Sequence, residues 1–433
     1  MPDTEAALPT DDGSAPDVTD LVDYLDASPS PWHAVESTLD RLDGFTQLDE
    51  TDAWTEIPND GYVVRSGAII AWRLPGETPP PHSPFRLVGA HTDSPGLRVK
   101  PYPDAGGHGW KQLAVEVYGG ILNNSWLDRD LGVAGRVVGA DGSLSLLNVA
   151  EPVARVPQLA VHLDREVNSG GLSLDTQQHL TPVWGVGSAS SGEFASWIRD
   201  VGETSSDPTW WELCLYDVQG ASVLGADHSL LASGRLDNQV SCWAATRALD
   251  AATPVGHTAV VVLNDHEEVG SSSNSGAAGP FLESVLGRIV AARGGSADDL
   301  ARALAGSACV SADNAHAVHP NYPERHEPGH RPIVNAGPAI KVNSNQRYAT
   351  SGDTAAAFQR ACERAGVPWQ VFVSRNNMPC GSTIGPITST RLGIPTVDVG
   401  VPQLSMHSAR ELCGVDDPTH LGAALRVFLD GDV

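Results

Sequence analysis

Residues 259–270 read AVVVLNDHEEVG, a short apolar run that ends in a cluster of acidic side chains. The aliphatic run from Ala259 to Leu263 predicts a strand that is buried on both faces, as in a parallel sheet. The neighbouring carboxylates of Glu267 and Glu268 repel each other after this strand unless a cation or a proton lies between them. A solvated acidic turn is the alternative interpretation, so the stretch needs support from the rest of the chain.

Three other segments repeat the design of an apolar strand that runs into a polar residue. They end at His91, Asp313 and His407. Helical patterns lie between the strands, including residues 240–249 and 354–365. This alternation predicts an α/β fold with a central, mostly parallel sheet. Because ligands bind beyond the carboxyl ends of such strands, we expect these polar residues to meet at one edge of the sheet.

Two further carboxylates are candidates for the same site. Asp237 follows Gly234-Arg235-Leu236 at the start of a predicted helix, where an N-cap aspartate is the simpler interpretation if it is taken alone. Asp93 stands two residues after His91, and a metal-bound histidine usually donates its second N–H to such an acceptor.

Taken together, the strand ends offer two histidines, three carboxylates and a spare glutamate. That is the ligand count for two Zn²⁺-like ions, with one carboxylate between them and one of the two adjacent glutamates left as a general base. The sequence contains no GxSxG elbow, no P-loop and no GxGxxG motif that would favour another chemistry.

The interval between His91 and Asp237 is long enough to contain a separate domain. It holds alternating strand-like stretches such as Leu113-Val115-Val117 and a predicted hairpin about Asp141-Gly142. We therefore expect a β-rich domain at residues 99–233, inserted into a catalytic domain formed by residues 1–98 and 234–433. Residues 1–18 are acidic and proline-rich, and they are expected to be a disordered tail.

Charge and cysteine content narrow the function classes. The 433 residues include 27 Lys and Arg against 53 Asp and Glu, a formal net charge of −26. This balance disfavours nucleic acid and anionic membranes as partners. The six scattered cysteines suit a reducing compartment, and residues 1–17 lack the features of a signal peptide. We expect a cytoplasmic protein.

Several motifs resemble those of the M18 metallopeptidases, the aspartyl aminopeptidases, from about Ser28 almost to the C-terminus. The motifs that carry the resemblance are AHTDSPGLRVKP, GRLDN, DHEEVGS, SADNAHAVHPNYPERHEP, KVNSNQRYATSGD and the segment from MPCGSTIGP to LSMHSAREL. The resemblance implies a dizinc-exopeptidase fold with an inserted dimerisation domain. It also implies dimers that assemble into a dodecamer.

The resemblance assigns a role to each candidate at the predicted strand ends. His91 and Asp313 would bind one zinc ion, Glu268 and His407 the other, and Asp237 would bridge the two. Asp93 would orient His91, and Glu267 would be the general base. Mn²⁺ or Co²⁺ also suits such a ligand set.

The resemblance also implies residues that contact substrate. His162, in the segment from Gln158 to Leu163, would stabilise the tetrahedral intermediate in its own active site or in that of a partner. Lys341 would bind the acidic side chain of the substrate, as one of only three lysines in the chain. Tyr348, His319 and Met406 would line the substrate site together with residues 381–383.

The expected function is the hydrolysis of peptides after an N-terminal Asp or Glu by a two-metal aminopeptidase. One alternative is an aminopeptidase of the same architecture with broad or neutral specificity. Another is a non-catalytic, oligomeric binding protein that has kept the fold.

Overall fold

A computed structural model describes residues 18–202 and 206–431, which form twenty strands in three sheets. In chain order the strands are β1 (Thr46–Gln47), β2 (Asp60–Arg65), β3 (Ala68–Arg73), β4 (Phe85–His91), β5 (Gly96–Gly107), β6 (Trp110–Tyr118), β7 (Leu131–Gly139), β8 (Leu144–Ala154), β9 (Val183–Val186), β10 (Pro208–Asp217), β11 (Ser222–Leu224), β12 (Leu230–Ser233), β13 (Thr258–Asn264), β14 (Ala308–Ala312), β15 (Ala315–His316), β16 (Ala339–Val342), β17 (Gln370–Val373), β18 (Thr396–Gly400), β19 (Pro402–Leu404) and β20 (Glu411–Gly414).

Eleven α-helices complete the described residues. They are α1 (Val18–Ala27), α2 (Pro31–Leu39), α3 (Val167–Gly170), α4 (Thr176–His179), α5 (Glu193–Val201), α6 (Leu236–Asp250), α7 (Phe281–Ala292), α8 (Ala297–Ala305), α9 (Gly352–Ala365), α10 (Ile384–Leu392) and α11 (Asp417–Asp430). Within these ranges no helix combines the length and the apolar character that a membrane span requires. The predicted disordered tail, residues 1–18, lies almost entirely outside the described residues.

The central sheet has nine strands in the order β1-β2-β3-β13-β4-β14-β18-β16-β17. Its middle strands β13, β4, β14 and β18 are parallel to one another, which confirms the predicted α/β fold with a mostly parallel sheet. The register pairs Asn264 with His91, and Ser311 with Gly89. Because Asp313 is two residues beyond Ser311, it is level with His91 at the same edge.

The apolar run at residues 259–263 is buried on both faces of this sheet, as its composition predicts. Val261 packs with Val88 into a core that includes residues of α1, α6, α9 and α11. Val260 and Val262 point to the opposite face, where α7 and α8 cover them. The double burial leaves the ends of the strands as the place where polar groups can reach solvent.

A second, antiparallel sheet has the order β8-β7-β10-β5-β6-β9 and spans residues 96–217. It has its own core, which includes Leu97, Leu131, Phe194 and Leu213. Strands β11 and β12 fall within the expected insert at 99–233, yet they join a third sheet with β20, β19 and β15. The expected domain boundary at residue 233 therefore falls at the end of β12, within a sheet that combines distant parts of the chain.

Candidate metal centre

A cavity of about 540 Å³ opens where the parallel strands end. Nine of the predicted site residues line it: His91, Asp237, Glu267, Glu268, Asp313, Lys341, Tyr348, Met406 and His407. Residues 381–383 line it as well. The structure thus brings together side chains that are up to 316 positions apart in the sequence.

The carboxylate of Asp237 lies between the two histidines. Its Oδ1 is 3.5 Å from Nε2 of His91, and its Oδ2 is 3.4 Å from Nε2 of His407. The same Nε2 of His407 is 3.4 Å from Oε2 of Glu268. Each oxygen of Asp237 therefore faces a different imidazole, which is the arrangement expected of a carboxylate that bridges two ions.

Two oxygens in this cluster are buried without a hydrogen-bond partner among the described residues. They are Oδ1 of Asp237 and Oε1 of Glu268. Ligand atoms of His91, Asp237 and Glu268 lie within 4.8 Å of one another. Because an unpaired buried carboxylate oxygen is costly, and because imidazole nitrogen and carboxylate oxygen are the ligands that zinc prefers, the residues present fit a metal ion.

The pKa shifts of the side chains in this cluster indicate a shortage of positive charge. Burial raises the pKa of Glu267 to about 8, with a further contribution from Asp313 that His91 opposes. Burial also raises the pKa of Glu268 well above its ordinary range. Burial alone would lower the pKa of His407, but the hydrogen bond to Asp237 raises this pKa to about 10. A cation bound here would replace these protons, as metal binding to protonated ligands requires.

Asp93 supports His91 and also the acidic turn. Nδ1 of His91 lies 3.0 Å from the backbone carbonyl of Asp93 and 3.4 Å from its carboxylate. The carboxylate accepts the backbone N–H groups of Glu267 at 3.0 Å and Glu268 at 3.1 Å. Its fully buried side chain therefore fixes three members of the cluster at once.

The second sheet reaches the site through the end of β6. The hydroxyl of Tyr118 donates to Oδ2 of Asp93 at 2.7 Å, and the guanidinium of Arg98 stacks on the tyrosine ring at 3.6 Å. The carbonyl of Gly120 lies 2.9 Å from Nδ1 of His407. Each histidine thus has a carbonyl acceptor for its second nitrogen, which fixes the ring orientation of a metal ligand.

Sequence reasoning missed Tyr118 and Gly120, although one local signal was present. Gly119 has a φ of +68°, and a Cβ there would lie 3.1 Å from the Cβ of Glu268. The glycine pair after β6 therefore marks a close approach between the second sheet and the acidic turn.

Lys341 lies between the predicted metal ligands and the predicted substrate pocket. Its Nζ is 3.7 Å from Oδ2 of Asp313 and donates to the carbonyl of Asn314 at 3.2 Å. The ammonium also lies 5.0 Å from the ring centroid of Tyr348. The side chain is only 2% exposed, so its charge acts in a setting of weak solvent screening.

His319, predicted to line the substrate site, is not among the residues that line the cavity, and its contact with substrate stays a prediction. Its Nδ1 accepts the backbone N–H of Asn321, and its ring packs against Tyr322 with centroids 4.9 Å apart. His316, in the short strand β15, lines the cavity together with its neighbour Ala315.

His162 also lies away from the cavity of its own chain. It belongs to residues 161–163, which form an exposed turn. Two apolar neighbours are exposed as well, Leu159 to 58% and Leu163 to 76%.

Comparisons with known proteins agree with this fold. A family model described as "Aminopeptidase I zinc metalloprotease (M18)" matches residues 24–429. A protein of Streptomyces avermitilis named "Probable M18 family aminopeptidase 2" is 55% identical over 420 residues, which cover 95% of this chain and 97% of that protein.

Two solved structures extend the comparison. A chain from the cryo-EM structure of the Ape4 and Nbr1 complex aligns with a TM-score of 0.90 and 34% identity, covering 96% of this chain and 85% of that one. The S. cerevisiae mApe1 dodecamer aligns with a TM-score of 0.81 and 27% identity, covering 95% of each chain.

The fold, the ligand chemistry of the cavity and these similarities define a zinc metallo-aminopeptidase. The chain belongs to the M18 peptidase family.

Tyr118 provides a test of the link between the second sheet and the site. Replacing Tyr118 by Phe removes one donor to Asp93 without changing the shape of the side chain. We expect kcat/KM to fall about 10- to 100-fold, as is typical when a partner of a metal-site residue is lost. Tyr216→Phe is the matched control, because its hydroxyl donates to Asn148 in the same sheet. Equal activity of the two variants would contradict the role of Tyr118.

Proposed function

We propose that this aminopeptidase binds two zinc ions and removes Asp or Glu from the N-terminus of peptides. The observation that carries the proposal is the carboxylate of Asp237, which faces His91 with one oxygen and His407 with the other. A non-catalytic binding protein would have no need of such an arrangement beside a spare, partly buried glutamate.

Five residues would hold the metal ions in this proposal. One pair is His91 and Asp313, the other is Glu268 and His407, and Asp237 lies between the pairs. Zinc at these ligands supplies Lewis acidity, which polarises the scissile carbonyl and makes a water molecule more acidic.

Glu267 is the proposed general base. Its backbone is held by Asp93, and its side chain lines the cavity beside the ligands. A carboxylate oxygen of Glu267 takes the proton of the attacking water and later returns it to the nitrogen of the leaving amine. A carboxylate held in one place can make both transfers, first as a general base and then as a general acid.

Lys341 is the proposed determinant of acidic specificity. It is buried at the cavity wall, and one of its contacts is the carboxylate of Asp313. An ammonium in such a position attracts the side-chain carboxylate of a bound Asp or Glu more strongly than a solvated one would. The net charge of −26 opposes the approach of acidic peptides, so a local cation is needed for this selectivity.

His162 and the assembly form a further part of the proposal. A histidine on an exposed turn with exposed leucines nearby suits a surface that a second copy covers. One similar structure is a dodecamer by its title. We propose that the second sheet forms the dimer and that His162 stabilises the oxyanion in the partner's site.

A cytoplasmic location completes the proposal. All six cysteines lie in the described residues and are unpaired, as expected in a reducing compartment.

Changing Glu267 to Gln separates metal binding from catalysis. The variant loses the base but none of the proposed ligands, so we expect an unchanged metal content and a kcat lowered about 100- to 10,000-fold. Metal analysis by mass spectrometry and a chromogenic assay give the two readouts, with Glu283→Gln as an exposed glutamate control. Substantial residual turnover would refute the assignment, and the absence of metal from gently purified wild-type protein would favour a non-catalytic protein.

Specificity is tested with chromogenic substrates in which the chromophore is attached to Asp, Glu, Leu or Lys with a free α-amino group. We expect the wild type to prefer Asp and Glu, and Lys341→Met to lower that preference by about 10-fold or more, the scale of one charge-assisted contact. The ratio of the kcat/KM values is the readout, because the contact with Asp313 affects all substrates alike. Lys111→Met is the control, since Lys111 pairs with Glu193 in the second sheet region. Preference for Leu would support the alternative of neutral specificity.

The role of His162 is tested by mixing two impaired chains. We expect His162→Ala to lower kcat about 100-fold or more, as when one oxyanion donor is lost. After subunit exchange with the Glu267→Gln chain, mixed dimers would contain sites with both residues intact. Activity above the sum of the two parents is expected. A mixture that stays at that sum would contradict a role in the partner's site.

A further inference from the structure

Glu411 is a buried carboxylate at the metal centre to which the proposed reaction gives no role. It is the first residue of β20 in the third sheet and is only 2% exposed. Its Oε2 accepts the backbone N–H of Asp237 at 2.9 Å, and its Oε1 accepts the backbone N–H of His407 at 2.6 Å. The side-chain amide of Gln403 donates to Oε1 at 3.3 Å.

One rigid side chain thereby links two candidate ligands that are 170 residues apart in the sequence. Asp237 is near the start of α6, whereas His407 is in the turn after β19. The separation of their side chains depends on how these two backbones are held together. The planar carboxylate of Glu411 sets that spacing, because each of its oxygens is committed to one of the two N–H groups.

His407 has a particular need for this hydrogen bond. Its φ is +67°, in the left-handed region that residues with a Cβ rarely occupy. Such a conformation persists only when surrounding contacts hold it. The His407 backbone donates its N–H to Glu411 and accepts the N–H of Leu122 with its carbonyl, and Nδ1 of the ring lies 2.9 Å from the carbonyl of Gly120.

In the other half of the centre, His91 is held by a different carboxylate. Asp93 fixes His91 and the turn that carries Glu267 and Glu268. Loss of the Glu411 contacts therefore affects the two halves unequally, with the larger effect at His407.

We propose that Glu411 is a positioning residue that sets the metal affinity of the His407 half of the centre. The inference rests on the proposed function, because it takes Asp237 and His407 as metal ligands. Glu411 acts through the backbones of these ligands and touches neither the substrate nor the reacting atoms.

Asp417 is a matched control for the cost of losing a buried carboxylate. It is fully buried, and its two oxygens accept the backbone N–H groups of Asn335 at 2.6 Å and Gly337 at 2.8 Å. It contacts none of the proposed ligands. Asp417→Asn therefore removes the same kind of interaction from a part of the fold that does not shape the cavity.

The experiment titrates zinc alone into the chelated full-length chain and measures affinity and stoichiometry by calorimetry. We expect two equivalents in the wild type. In Glu411→Gln, whose amide nitrogen cannot accept an N–H, we expect one equivalent to bind about 10- to 100-fold more weakly. Excess zinc should then restore most of the lost activity. Asp417→Asn should lose thermal stability but keep both affinities.

The outcomes distinguish failure of the Glu411 inference from failure of the proposed two-metal function. Wild-type affinity for both equivalents in Glu411→Gln, or an equal loss of affinity in Asp417→Asn, overturns the inference and leaves the function standing. Failure of the wild type to bind two equivalents instead overturns the proposed function. If Glu411→Gln does not fold, Glu411→Asp is used, since its shorter side chain reaches only one of the two N–H groups. Unchanged affinities in that variant also overturn the inference.

Discussion

Several carboxylates share one buried pocket at the ends of four parallel strands, and their mutual repulsion is the constraint on which the rest of the site depends. Burial raises the pKa of Glu267, Glu268 and Asp313, so the pocket disfavours negative charge at all three. The two histidines and Lys341 offset part of that charge. A bound cation would offset more, which would give a metal ion a structural as well as a chemical role.

Neutral hydrogen-bond donors stabilise two further buried carboxylates without adding positive charge. Backbone N–H groups point at the carboxylates of Asp93 and Glu411, which are buried and lie outside the proposed ligand set. Each of these carboxylates holds segments that the chain supplies far apart. The three sheets therefore meet at the centre: the parallel sheet supplies His91, the second sheet supplies Tyr118, and the third supplies Glu411.

The sequence predicts the parts of this centre that follow from local pattern. Apolar runs locate β4, β13 and β14, and parallel topology then puts His91 and Asp313 at one edge. The positions of His316 and His319 relative to the cavity depend instead on the path of the backbone after β14, which spacing does not reveal. Tyr118 and Glu411 acquire their roles only when separate sheets pack together. The third sheet is not predicted for the same reason, because its strands are only two to four residues long and pair across distant segments of the chain.

The contacts from the end of β6 bear on how this architecture can be rebuilt. Tyr118 and Gly120 complete the surroundings of Asp93 and His407, although they follow a strand with its own sheet and core. The second sheet is thus not an appendage that could be trimmed to yield a minimal enzyme. A chimaera that exchanged this region between relatives would have to preserve the junction at residues 118–120.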